Sequence, residues 1–298
     1  MAKKLFVALN GGLGNQMFQY AAARALALRH QAELVVDNWS GFVRDYEYHR
    51  HYELGALPIQ ARTTKPLERL PIWLYRMQHR QGKKKANLFE TRWYGNFITE
   101  TKFSHLPQVQ QINMPEVTWL LGYWQSPLYF RDFIATIRNE LMPTVPTQAN
   151  FTTLGEELLR TESVALGVRL YEESATPQAH AHEGRLKGVT EIRAAVERMK
   201  SLQPRARFYI FCTHRSPLLE QIGLPNDSVS VTHDDGYEGT LERLWLLSRC
   251  RHHIITNSSY YWWGAVLSAA VRGSESQQIL AADNFVNQDG LLSDWNTF

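Results

Sequence analysis

Apolar and polar positions along this chain fall into blocks whose periods change from two to about four. Leu5-Phe6-Val7-Ala8-Leu9 is a continuous apolar run, long enough for a buried strand and too short for a helix. Asn10-Gly11-Gly12-Leu13-Gly14-Asn15 breaks it, and Gln16 to His30 is rich in Ala, Leu, Met and Gln, which predicts a helix. Glu33 to Val36 predicts a second strand that ends at Asp37. Two strands joined by a helix make a parallel pair, whose ligand belongs beyond the strand carboxyl ends.

The pattern then loses its regularity. Residues 40–115 are heavy in Arg, His, Tyr and Gln and yield no assignable elements. Order returns with a strand at Val117 to Tyr123 and a helix at Pro127 to Leu141, proline standing in its first turn. Met142-Pro143-Thr144-Val145-Pro146-Thr147 is a two-proline break that reads as a linker. Beyond it, strands are expected at Ser163–Arg169, Arg207–Cys212, Ser228–Thr232, His252–Thr256 and Gln277–Ala281. Helices fit between them at Val189–Ser201, Ser216–Ile222, Thr240–Arg249 and Ser258–Ala270. This alternation predicts an α/β protein with two Rossmann-like domains, residues 1–145 and 146–298, facing each other across a cleft.

Composition narrows the class. The 298 residues include nine Trp, thirteen Tyr and thirteen Phe, too much apolar surface for a disordered chain. A net charge of +3 is small for a protein that reads phosphates along a basic face, so nucleic acid is not an expected partner. Cys212 and Cys250 match no paired zinc spacing and fit a reducing compartment. No stretch approaches the roughly 20 apolar residues that span a bilayer. The strand-like Lys4–Leu9 is too short for the core of a signal peptide, and a cytoplasmic location is expected. His180-Ala181-His182, His49-Arg50-His51 and His252-His253 lack a third ligand at metal spacing, so no metal is expected.

Two segments carry candidate chemistry. Glycines at a strand-to-helix turn let backbone N–H groups approach an anion, though Gly11-Gly12-Leu13-Gly14-Asn15 does not match the dinucleotide spacing G-x-G-x-x-G. A tight packing turn is the competing reading, and both stay open. Asn257-Ser258-Ser259 sits where a helix should start, either capping its free N–H groups or helping them hold a phosphate. Trp262 and Trp263, one turn inside, read as core packing, with a wall for a sugar ring as the second reading.

Three blocks in order resemble the α-1,2-fucosyltransferase family, glycosyltransferase family eleven. Gly11 to Ala21 looks like its N-terminal signature; Gly122-Tyr123-Trp124-Gln125-Ser126-Pro127-Leu128-Tyr129-Phe130 is similar to its central segment; Cys250 to Gly264 resembles its C-terminal block. The resemblance implies a metal-independent inverting transferase of the GT-B type, moving L-fucose from GDP-β-L-fucose to a galactose 2-hydroxyl of an oligosaccharide or lipopolysaccharide. It places the acceptor on the N-terminal half and the nucleotide sugar on the C-terminal half. Donor contacts are then expected from Gly11, Gly12, Gly14, Asn15, Gln16, Arg169, Asn257, Ser258, Ser259 and Gly264, and acceptor contacts from Trp124 and Gln125.

This chain departs from the family's donor motifs. Where the family has H-x-R-R-G-D-Y, it has Gly167-Val168-Arg169-Leu170-Tyr171-Glu172-Glu173, so one arginine survives. Cys212-Thr213-His214 replaces S-D-D, and Arg243 stands at an acidic helix position. Arg243 is a candidate for a relocated cation. Arg169 is the expected stabiliser of the departing diphosphate, and Glu172 or Glu173 the candidate base. Because the changes cluster at donor motifs, another nucleotide sugar, or a binding protein without catalysis, remains the alternative. The basic run Arg80-Gln81-Gly82-Lys83-Lys84-Lys85 is a solvated loop, or else a contact with a polymer acceptor or with anionic membrane at its inner face.

Overall fold

The computed structural model describes residues 3–46, 48–81, 89–91, 95–100, 102–168, 187–215, 217–285 and 287–298. The chain divides into two compact units, Met1–Leu141 and Met142–Phe298, a few residues ahead of the boundary expected from the prolines.

The first unit begins as the apolar blocks predict, with β1 (Lys4–Ala8), α1 (Leu13–His30) and β2 (Glu33–Asp37). The irregular middle supplies β3 (Arg62–Thr63), α2 (Ile72–Gln81), β4 (Phe89–Thr91), β5 (Gly95–Thr99) and the single turn α3 (Pro107–Gln110). Then come β6 (Val117–Leu121) and α4 (Ile134–Leu141). The helix expected from Pro127 is instead two 3-10 turns followed by α4, because Phe130 between them leaves the helical region (φ −132°, ψ 6°). The sheet order is β3-β2-β1-β6-β5-β4, parallel except for the β4–β5 pair. Register puts Phe6 and Phe97 on either side of Trp119, and the rings stack at 4.6 and 6.3 Å. Leu70 and Leu74 close over this aromatic row, while α1 buries its Ala-rich face against the sheet.

The second unit runs α5 (Ala149–Arg160), β7 (Ser163–Gly167), α6 (Val189–Leu202), β8 (Arg207–Phe211), α7 (Pro217–Gln221), β9 (Val229–Val231), α8 (Thr240–Leu247), β10 (His252–Ile255), α9 (Ser259–Arg272), β11 (Ile279–Ala281) and β12 (Asn296–Thr297). Helix α5 had no counterpart in the sequence reading, although Phe151, Leu154, Gly155 and Leu158 bury one face at helical spacing. The order β9-β8-β7-β10-β11-β12 is fully parallel and reverses direction between β7 and β10. That is the Rossmann strand order, and the reversal marks where a ligand sits in such sheets. One face of this sheet is closed by Ile192, Ala195, Val196 and Met199 of α6. Among the described residues, no helix is long and apolar enough to cross a membrane.

Candidate active site

In each unit the strand order reverses beside the first strand, between β1 and β6 or between β7 and β10. The carboxyl ends of those strands carry the segments singled out from the sequence, one set on each unit.

On the first unit, Gly11 turns the chain at φ +71°, a conformation that favours glycine, with the Asn15 amide close over it. Gly12 precedes α1 without any side-chain cap, and the space over it opens towards the Arg50 guanidinium, 3.8 Å from an added Cβ. Gly14 is buried inside the first turn of α1. Gln16 is fully buried and its amide is saturated: it donates to Gly11 O and His51 O, both 2.9 Å, and accepts from Glu53 N and Leu54 N. The donor contact expected of Gln16 is therefore replaced by a structural task, pinning the 51–54 loop to the glycine turn. Asn15 remains half-exposed at the rim, its Oδ1 accepting 2.8 Å from the Gln125 amide.

Trp124 does not meet an acceptor. Its side chain is fully buried, edge-on to Tyr129 at 5.4 Å, and its backbone is left-handed at φ +55°. For a bulky residue that conformation needs support. Glu100, the first residue past β5, supplies it: Oε2 accepts from Tyr123 N at 2.7 Å and Oε1 from Trp124 N at 3.1 Å. Gly122 makes room, because at φ +150° an added Cβ would fall 2.4 Å from the Glu100 Cβ. Burial pushes the Glu100 carboxyl up to about 7, against the pull of those two N–H donors. Tyr123 is half-exposed and stacks with Phe103 at 6.3 Å, and burial followed by the Glu100 charge raises its hydroxyl pKa. Nearby, the Tyr75 hydroxyl accepts from Asn10 Nδ2 at 2.9 Å, while Gln19 ties Asn10 to Gly122 O.

On the second unit, Tyr261 is the keystone. Its ring lies where a Gly167 Cβ would be, 2.5 Å from the nearest ring atom. Its hydroxyl is 2.9 and 2.7 Å from the carbonyls of Val168 and Phe211 and donates to one at a time. Thr256 Oγ1 donates to Gly167 O at 2.9 Å, locking the ends of β7 and β10 together. Ser258 caps α9, accepting a long bond of 3.5 Å from Tyr261 N; Asn257 and Ser259 beside it are half-exposed. Gly264 is interior, since a Cβ there would lie 2.8 Å from Leu247 Cβ, so the donor contact expected of it becomes helix packing. Trp262 and Trp263 are core, as read from the sequence, with Trp262 Nε1 donating to Gly290 O at 2.6 Å.

Arg243 reaches this rim from α8, Nη1 donating 2.7 Å to Cys212 O just past β8. His233–Asp235 forms one 3-10 turn closed by left-handed Gly236. Asp234 there accepts from Arg215 N and His214 Nδ1, and those bonds hold its pKa below the ordinary range. Asp235 pairs with the Arg215 guanidinium and accepts from Thr232 Oγ1 at 2.6 Å. Arg169, Glu172, Glu173, His180, His182 and Gly82 to Lys85 lie outside the described residues. Among the described residues, no group of three or more His, Cys, Asp or Glu is placed to hold a metal ion.

Glu100, Tyr75 and Arg50 were missed by sequence reading because they fall in the irregular middle, where no periodicity announces a strand end. Asn10 was passed over as part of a turn.

Comparison with known proteins agrees with this layout. An α-1,2-colitosyltransferase from Escherichia coli is 25% identical over 267 residues, covering 87% of this chain and 86% of that protein. The O-antigen biosynthesis glycosyltransferase WbnK, also from E. coli, is 24% identical over 279 residues, 89% and 90% of the two chains. In fold, the crystal structure of the fucosyltransferase NodZ from Bradyrhizobium matches 90% of this chain and 93% of its own with a TM-score of 0.54 at 16% identity. The two Rossmann-like units are those of a GT-B type glycosyltransferase. Residues 70–298 match the glycosyl transferase family 11 pattern, and the chain belongs to that family.

Proposed function

We propose that this glycosyltransferase moves L-fucose from GDP-β-L-fucose to the 2-hydroxyl of a galactose on an oligosaccharide or lipopolysaccharide, with inversion and without a metal. The observation that carries the reading is the family match over residues 70–298, which takes in the central and C-terminal blocks. The chemistry of the two rims supports it. The second unit offers a guanidinium at Arg243, hydroxyls at Ser258 and Ser259, and the first turn of α9, groups that suit a diphosphate. The first unit offers amides, phenols and a carboxylate, which suit a neutral sugar. Arg169 is assigned to the leaving diphosphate, together with Arg243; Arg169→Ala with full activity would remove that role.

A second reading keeps the scaffold and changes the donor. It is favoured by the relative named a colitosyltransferase and by the altered residues of the donor half, Cys212-Thr213-His214 and Arg243. One assay separates the two: release of nucleotide from GDP-fucose, other GDP-sugars and UDP-sugars, with and without a β-galactoside, in buffer with and without EDTA. GDP release that needs both GDP-fucose and the galactoside, giving a product cut by an α-1,2-fucosidase, is the expected result. Release from a different donor selects the second reading. Binding without release points to a protein that has lost catalysis. EDTA should leave the rate unchanged.

Contact with the inner face of an anionic membrane is also proposed. In the segment that leads in sequence to the basic run, Leu67 and Trp73 are exposed at 98% and 65%, and Arg76 is exposed as well, a mixture that suits a headgroup surface. Sedimentation with phosphatidylglycerol vesicles but not phosphatidylcholine vesicles, reduced by Trp73→Ala, is expected.

A further inference from the structure

Among the described residues, the carboxylates drawn into hydrogen bonds inside the fold divide into those that also meet a cation, phenol or hydroxyl and those that meet backbone alone. Glu140 is spent on Arg24 and Tyr20, and Glu157 on Arg207 and Tyr209. Asp37 is surrounded by the N–H groups of Trp39 and Ser40 and by the Ser40 hydroxyl. Glu100 differs from all of them. It sits one residue past the carboxyl end of β5, beside β6, one strand from the point where the strand order of the first unit reverses. Among the described residues two backbone N–H groups bond it, one to each oxygen, and each carboxylate oxygen can accept two. Among the described residues no cation pairs with it. Tyr123 is the titratable side chain coupled to its charge, with Asp45 acting on Tyr123 in turn.

Two features keep this carboxylate in place. Gly122 allows its stem to lie against the strand end, and the left-handed turn at Trp124 aims two successive N–H groups at its oxygens. The same rim presents Tyr123, Asn15 and Gln125, half-exposed hydrogen-bonding groups of the kind that orient a sugar ring.

Resting on the reading that the first unit holds the acceptor, we propose that Glu100 is the general base, taking the proton of the acceptor sugar's hydroxyl as that oxygen attacks. In the step, the hydroxyl oxygen forms a bond to C1 of the donor sugar. The C1–O bond to the β-phosphate breaks, its electron pair leaving with the nucleotide diphosphate, and the hydroxyl proton passes to a free lone pair of Glu100. The carboxyl's raised pKa, near 7, matches a base that must accept a proton and release it again at neutral pH. Glu172 then need not be the base.

The test uses the full-length enzyme with GDP-fucose, or whichever nucleotide sugar it accepts, and a β-galactoside. For the unaltered protein, kcat/KM should rise with pH through a midpoint near 7. Glu100→Gln should lower kcat by about 100- to 10,000-fold, leave the donor KM in place and abolish that rise. Formate should restore activity to Glu100→Ala, since a small carboxylate can occupy the vacated space, and Glu172→Gln should keep the rise. A merely structural Glu100 would lose turnover in its variants yet retain the pH profile and ignore formate. The proposal is overturned by that pattern, by full activity of Glu100→Gln, by a pH rise lost only in Glu172→Gln, or by an unaltered enzyme with no such rise. The last measurement needs no variant and decides the matter even if the substitutions unfold the protein. If the unaltered protein transfers from no nucleotide sugar, it is the proposed function that fails.

Discussion

The two units build similar, mainly parallel sheets and then finish their rims with different side chains. The first unit's rim carries a carboxylate, Glu100, with amides and phenols from Asn10, Asn15, Gln125, Tyr75 and Tyr123. The second unit's rim carries the guanidinium of Arg243 and hydroxyl groups at the start of α9. Both are held by glycines that admit a close neighbour, Gly122 against Glu100 and Gly167 against Tyr261. The lesson is that strand order fixes where a ligand lies, while a few rim residues decide its charge.

After the loss expected of Glu100→Gln, breaking the cationic rim should have the largest effect. Arg243→Ala is expected to reduce turnover by about 100- to 1,000-fold, equivalent to about 2.7–4 kcal/mol of transition-state stabilisation, with little change in melting temperature. Steady-state kinetics beside a thermal melt check it; unchanged turnover would leave Arg243 a structural donor to Cys212 alone. Next in size, Gly122→Ala should destabilise the protein by about 1–3 kcal/mol through overpacking against Glu100, to which the cost of the glycine-only φ adds, seen as a lower denaturant midpoint.

The two units should also answer pH in opposite directions. Burial lowers the His253 pKa to about 3 in the fold, so the unfolded chain binds the extra proton. The second unit therefore loses stability as pH falls below about 6.5, by at most about 1.4 kcal/mol per pH unit. Glu100 is raised instead, from an ordinary 4.5 to about 7, so the folded state holds its proton more tightly. That contribution to the first unit is present below about 4.5 and is lost as pH climbs to about 7. The change in hydrogen exchange of β6 amides on Glu100→Gln, against that of β10 amides on His253→Asn, should have slopes of opposite sign between about pH 5 and 6.5, a comparison that leaves out His30 of α1, whose pKa burial also lowers; parallel slopes would refute the contrast. Smallest is Gln125→Ala, which removes the bond to Asn15 and should cost about 1 kcal/mol, read as a several-fold rise in acceptor KM with donor KM unchanged.

Much of this architecture could be read from residue order. The strands of the second unit were recoverable because each is a short apolar run between helical segments, and the buried cores of β7, β8 and β10 confirm them. The glycine turn and the Asn257-Ser258-Ser259 corner were likewise placed at strand ends. Residues 40–115 resisted because their strands are short and their burial comes from neighbours: β5 is held between β4 and β6, and its polar Gly95 and Asn96 hide a core strand.

Local pattern, then, determines which segments become strands and helices, since burial of an apolar face and the conformational freedom of glycine act within a few residues. It cannot assign tasks to side chains whose partners are distant in sequence. Gln16 could serve a ligand until four backbone groups used up its amide, and Trp124 could stack on a sugar until a left-handed turn put it inside. Glu100 was one acid among many in an unpatterned stretch. Its charge matters only because the chain returns, more than twenty residues later, to bring the N–H groups of Tyr123 and Trp124 against it, while partial burial outweighs their pull and raises its pKa.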